Sequence, residues 1–305
     1  MIGDVSVSGR LSGVAVHLLV LLVLLTTLYP VLHIASVSFS DDVSVMGNRV
    51  TFYPVNFNLR AYQLIFSSPL IPNSFKNAVI YTIVGTVVNM LLTTTMAYAL
   101  SKRRLAFRGL ITAAVIISFF FSGGLIPTFL LVRSLGMYNT IWALAVPTAI
   151  ATWNLIIMRV FFQTLPQELE DSAVVDGAND ITVFVRIMLP ISKAAVATIT
   201  LFYAVSHWNS WFPAVVYLSD AERYPLQVIL RQIVIDNQMT EALLERGEMA
   251  AARAMDEQEQ SDQLIASVDR IKFATLFASI VPMLIIYPFI QRYFVRGLMI
   301  GSLKG

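Results

Sequence analysis

Few residues in this chain are placed to do covalent chemistry. There is no cysteine, which excludes disulfides and thiolate nucleophiles. The three histidines, His17, His33 and His207, are scattered, and none has a partner at metal-ligand spacing. No G-x4-G-K-[ST] run is present to cradle a nucleotide phosphate, so ATP hydrolysis by this chain is not expected. Nothing resembling a catalytic acid cluster or nucleophile set is visible. The informative spacing is mechanical, in the stretch LPQELEDSAVVDGANDITVFVRIMLP, residues 165–190. Pro166 fits a first helical turn, where its missing N–H costs nothing. Glu168, Glu170 and Asp171 follow near the positive end of the dipole. Gly177 suits the left-handed residue that closes a helix, and Asn179 or Asp180 can cap the next one, which runs to a break at Pro190. The reading is helix, tight turn, helix. The second helix is unusually apolar: Ile181, Val183, Phe184, Val185, Ile187, Met188 and Leu189 need something to bury against.

The elements that hold this loop are membrane spans. The 305 residues are 57% hydrophobic and 13% charged, with a mean hydropathy of +0.71. A water-facing surface needs about a quarter charged residues. The net charge of +2 gives no reason to expect nucleic acid. Six stretches reach or approach the ~20 apolar residues that cross a bilayer: 14–35, 78–100, 110–132, 140–162, 194–218 and 273–294. The expected fold is all-α and polytopic. The first apolar run exceeds that of a signal peptide, so an uncleaved span is expected. Pro282 and Pro288 interrupt the sixth stretch, which a surrounding bundle tolerates.

Lys102, Arg103, Arg104 and Arg108 form the densest basic cluster, in a short loop, and the positive-inside rule places it in the cytoplasm. Alternation then puts both termini inside, with residues 1–13 and the tail 295–305, carrying Arg296 and Lys304, in the cytoplasm. A six-span membrane core fills 14–294. Its loop 163–193 lies inside, and segments 36–77 and 219–272 lie outside. The latter is acid-rich and helix-prone from 240 to 265.

The loop admits two readings from composition, one folded back onto its own bundle and one serving a partner. Its spacing resembles the signature of permease subunits of bacterial ATP-binding-cassette importers, E-A-A-x3-G-x9-I-x-L-P. Asp171, Ser172 and Ala173 stand at the E-A-A places, followed by Gly177, Ile187, Leu189 and Pro190. Asp176-Gly177-Ala178 matches the D-G-A of the sugar-importing version. Asp171 in place of Glu is one methylene shorter, and Ser172 replaces an Ala. Softer similarity to the oligosaccharide branch lies in Phe121–Pro127, Tyr224–Gln227 and the tail from Phe294 to Gly305.

The resemblance implies a type I importer transmembrane fold in the bacterial cytoplasmic membrane. It implies that the loop couples to a separate ATPase, with Glu168, Asp171, Ser172, Ala173, Asp176, Gly177, Ala178, Phe184, Ile187, Leu189 and Pro190 as contact or shaping residues. The implied partners are a homologous second permease subunit, two copies of a cytoplasmic ATP-binding subunit and an external solute-binding protein. ATP and Mg would bind the ATPase, and no cofactor is expected on this chain. The patch Ser206–Trp211 is the most polar and aromatic within a span, and Trp208, Asn209 and Trp211 are candidates for a sugar path. They equally suit belt and helix-bridging roles, as do Asn89 and Asn154, with bridging favoured for the two asparagines. The rival reading is an ion-gradient-driven transporter. Such proteins carry charged relays within their spans, whereas only Arg159 lies well inside a predicted span before the sixth.

Overall fold

The computed structural model describes residues 7–67, 69–245 and 270–288. Among them every regular element is helical. In chain order these are α1 Val7–Ser38, α2 Asp42–Met46, α3 Arg60–Ser67, α4 Leu70–Ser101, α5 Arg108–Phe120, α6 Leu125–Ser134, α7 Trp142–Ala145 and α8 Thr152–Thr164. There follow α9 Glu168–Val175, α10 Asp180–Ile191, α11 Lys193–Trp208, α12 Phe212–Tyr217, α13 Leu226–Glu245 and α14 Arg270–Pro288. The expected tail and most of the acid-rich stretch 240–265 lie outside the described residues.

Three helices are long and apolar enough to cross a membrane alone: Gly13–Ser38 within α1, α4 and α14. Counting each sharply bent helix pair as one span raises the number to five among the described residues. The third predicted stretch is one such pair, α5 and α6, meeting at 118° across Phe121–Gly124. The fourth, 140–162, is not one helix. It becomes the single turn α7 and the 13-residue α8, separated around Pro147, whose missing N–H cannot continue an α-helical ladder. The fifth begins as α11 and breaks at Asn209–Trp211 before α12.

The chain forms two compact units. Of the described residues, the first comprises 7–67, 69, 230–245 and 270–281. Its α1 exposes Val14, Leu18, Leu22 and Leu25, as a helix bathed in lipid must. Thr26 and Thr27 donate their hydroxyls back to the carbonyls of Leu22 and Val23, so neither hydroxyl faces lipid unpaired. Beyond α1 the chain knots around Phe39, which stacks on Phe57 at 5.6 Å and on Tyr62 at 4.9 Å and meets Phe277 edge-on at 5.8 Å. Asp41 caps α2 by accepting from the Ser44 N–H at 3.1 Å.

Arg270, 1% exposed, lies with Nη1 3.2 Å from Asp42 Oδ1 and donates to the Ser40 carbonyl at 3.2 Å. Removing one partner of a buried ion pair strands the other charge. Asp42→Ala is therefore expected to cost about 3 kcal/mol, the low end of the range for such pairs because Asp42 keeps 23% exposure. The melting temperature in detergent should fall by several degrees. An unchanged melting curve would show that the pair contributes nothing.

The second unit, described residues 70–229 and 282–288, is organised by α4. This helix packs along both α8 and α11. Its buried polar residues Thr82, Thr86, Asn89 and Thr93 recur at intervals of three or four, and so lie on one face. Near its start, Asn77 donates to the Glu222 carbonyl at 2.7 Å and Tyr81 to that of Arg223 at 2.9 Å.

Candidate functional site

The 165–190 loop folds as its turn chemistry predicts. α9 ends in a Schellman motif: Ala178 N–H donates to Ala173 O at 2.9 Å and Gly177 N–H to Val174 O at 3.0 Å. Gly177 takes φ +84°, a region an L-residue enters only with strain. Asn179, not Asp180, caps α10, accepting from Thr182 N–H at 2.8 Å. The expected stop at Pro190 falls two residues late. The helix widens to a π turn over Phe184–Met188, carries Pro190 within its last turn, and breaks at Ser192 with an 85° bend into α11. The i→i−5 bonding of a π turn takes up the register that Pro190, lacking an N–H, cannot satisfy.

The two faces of this elbow differ. Ala173, Val183, Phe184 and Met188 are buried in one cluster with Tyr98, Leu155, Met158 and Phe162, and Ala178, Ile187 and Leu189 pack against it. The opposite side exposes Val174 (49%), Val175 (87%), Ile181 (73%) and Val185 (51%). Glu168, Asp171, Ser172, Asp176 and Pro190 are also exposed. The loop thus folds back onto its own bundle and still leaves Val174, Val175, Ile181 and Val185 uncovered.

Charge ties it down as well. Lys102 pairs with Glu170, the two side chains 17% and 16% exposed, and its ammonium sits 4.2 Å from the Tyr98 ring centroid. Arg104 pairs with Asp180 at a far more exposed position, where such a pair contributes little. Sequence reasoning used Lys102 and Arg104 only to orient the chain. The opposite charges were visible, but contacts across 68 and 76 residues carry no local signal. A cleft of about 730 Å³ runs beside these pairs, lined by residues including Arg103, Arg108, Gln163 and Asp171.

Residues 89–300 match the family described as binding-protein-dependent transport system inner membrane component. The chain belongs to this family. It is 40% identical to the polygalacturonan/rhamnogalacturonan transport system permease protein YtcP of Bacillus subtilis (strain 168), over 97% of this chain and 99% of that one. It is 42% identical to Protein LplC of the same organism, over 92% and 90%. Among solved structures it is similar to a chain of a bacterial ABC transporter involved in the import of the acidic polysaccharide alginate. That match has a TM-score of 0.82 and 32% identity, and covers 95% of this chain and 98% of the other. This permease is thus a multi-pass membrane component of an importer, and ATP hydrolysis belongs to a separate subunit.

Within the permease bundle, polar side chains repair the broken fourth stretch. Asn89, fully buried, donates its amide to the Thr148 carbonyl, and its Oδ1 lies 2.8 Å from His207 Nε2. Tyr203 accepts from the Ala151 N–H at 3.0 Å, and its hydroxyl is 2.6 Å from Thr93 Oγ1. Two backbone groups just past the Pro147 break, the Thr148 carbonyl and the Ala151 N–H, are thus satisfied by side chains of α4 and α11. Asn89 therefore bridges helices, and Asn154 is buried in the same unit. Of the sugar-path candidates, Trp208 is 4% exposed and meets Phe75 edge-on at 5.8 Å. Trp211 is half-buried beside Phe212, and Asn209, which ends α11, is exposed.

Proposed function

We propose that this permease imports oligosaccharides of the acidic-polysaccharide type, and that its 165–190 loop is the surface on which a partner ATPase pushes. The observation that carries the coupling role is the elbow's asymmetry. One face is locked to α4 and α8, and the other offers Val174, Val175, Ile181 and Val185 uncovered beside exposed Asp171 and Asp176. A capped, rigid element transmits displacement, and uncovered apolar side chains of that kind gain by docking into a cleft.

The substrate class is supported by the relatives, one named for polygalacturonan and rhamnogalacturonan and another described as importing alginate. In this reading the basic 102–108 loop faces the cytoplasm and six spans are completed by the bent pairs and the 140–162 stretch. A homologous permease subunit, two ATPase copies holding ATP and Mg, and an external binding protein complete the assembly. The chain itself holds no cofactor.

Proteoliposomes containing the purified assembly test this directly. Uptake of a labelled uronic-acid oligosaccharide should require internal ATP and the binding protein, and should persist when ionophores dissipate ion gradients. Uptake that ionophores stop and ATP does not support would overturn the proposal.

A further inference from the structure

We infer that Lys102 rivets the 165–190 loop to α4, so that displacement of the loop enters the membrane through α4 and not along the chain into α11. The inference rests on the coupling role proposed above.

The covalent route is a poor lever. Between the loop and α11 lie a π turn, a proline and an 85° bend, with Ser192 Oγ buried and unpaired at the break. Force along such a joint dissipates as bending. The non-covalent route is stiffer. At the end of α4, Lys102 holds α9 through the sheltered pair with Glu170. One turn earlier Tyr98 holds α10, its ring 5.0 Å from that of Phe184, with Phe162 at 5.9 Å. The Lys102 ammonium lies over that same Tyr98 ring, so the grips on α9 and α10 meet at one point.

From there α4 runs unbroken for 32 residues. At 1.5 Å per residue it presents Thr93 about 14 Å and Asn89 about 20 Å from Lys102, and their partners fasten the Pro147 break and α11. A push on the loop therefore reaches the interrupted fourth stretch, where a bundle yields most readily, through one straight rod. Lys102 is a positioning residue in this scheme. The exposed Arg104–Asp180 pair is too solvated to act in the same way.

The chain contains no cysteine, which makes a clean test available. The double variant Lys102→Cys/Glu170→Cys, assembled with its partners, lacks the ion pair and is expected to transport several-fold less substrate per ATP hydrolysed than the parent. Bridging the two introduced thiols with a short bifunctional reagent should restore that ratio, and cleaving the bridge should lose it again. A role in folding alone would not make the ratio follow the bridge.

The inference is overturned if bridging arrests transport, because the loop would then have to slide against α4. It is also overturned if the unbridged variant couples as well as the parent. A parent complex that shows no ATP-dependent transport would instead sink the functional reading on which the inference rests.

Discussion

Gly177→Val is expected to abolish substrate-stimulated ATP hydrolysis in the reconstituted complex while membrane insertion survives. A Cβ at this glycine would meet no atom within 4 Å, so crowding is not the cause. The backbone is. At φ +84° a β-branched residue is strained by roughly 1–2 kcal/mol. If φ relaxes to a negative value instead, the two Schellman hydrogen bonds from Gly177 and Ala178 are lost. Either way α9 and α10 no longer meet at the angle that the Gly177 turn sets. The effect should be large because coupling depends on position, whereas insertion depends on the apolar spans. Gly177→Asn, which tolerates the left-handed region, should keep a measurable part of the stimulation. Full stimulation in the valine variant would contradict the role given to this turn.

The second large effect is expected at Gly85. A Cβ built there would lie 2.5 Å from Cε1, 2.6 Å from Nε2 and 2.8 Å from Cδ2 of His207. Either α4 and α11 separate, or the imidazole swings away and gives up Asn89. Overpacking of this kind costs about 1–3 kcal/mol. Losing the Asn89–His207 hydrogen bond adds about 0.6 kcal/mol in a membrane setting. Gly85→Ala should therefore lower the melting temperature of the detergent-solubilised protein markedly, and Gly85→Leu should prevent its recovery as a monodisperse species. Combining Gly85→Ala with His207→Ala removes the clash and should recover part of the loss. A melting temperature for Gly85→Ala equal to that of the parent would show that the two helices do not approach this closely.

The loop at 165–190 was legible because everything that shapes it is local. The glycine, the Asn179 cap and the apolar run act within a few residues of one another, so type and spacing announce them. The end of α10 was less legible: Pro190 marks a break, but a π turn shifts it by two residues at no cost in composition. Asn89 could be read as a polar residue in a span, and bridging was the favoured reading. Which group it bridges could not be read, because Thr148 lies 59 residues away and His207 lies 118 away. Trp208 shows the same difficulty. Its place beside an amide and a serine could be read, but its edge-on partner Phe75, far off in the chain, could not. The fourth predicted span had its warning in Pro147, since hydropathy averages over a window that a single missing N–H does not disturb.

By itself, the sequence determined that this protein lives in a bilayer and that one loop is a stiff apolar elbow. Composition, residue inventory and turn chemistry are additive or local properties, and a linear chain states them outright. Only the tertiary structure decided which face of the elbow is covered, that Lys102 and Tyr98 grip it, and that α4 and α11 supply the hydrogen bonds missing at the Pro147 break. Those pairings join residues dozens of positions apart. Inside a membrane an unpaired backbone group is too costly to leave exposed, so the broken helix had to find such partners, but their identities depend on how the helices lie against one another in space.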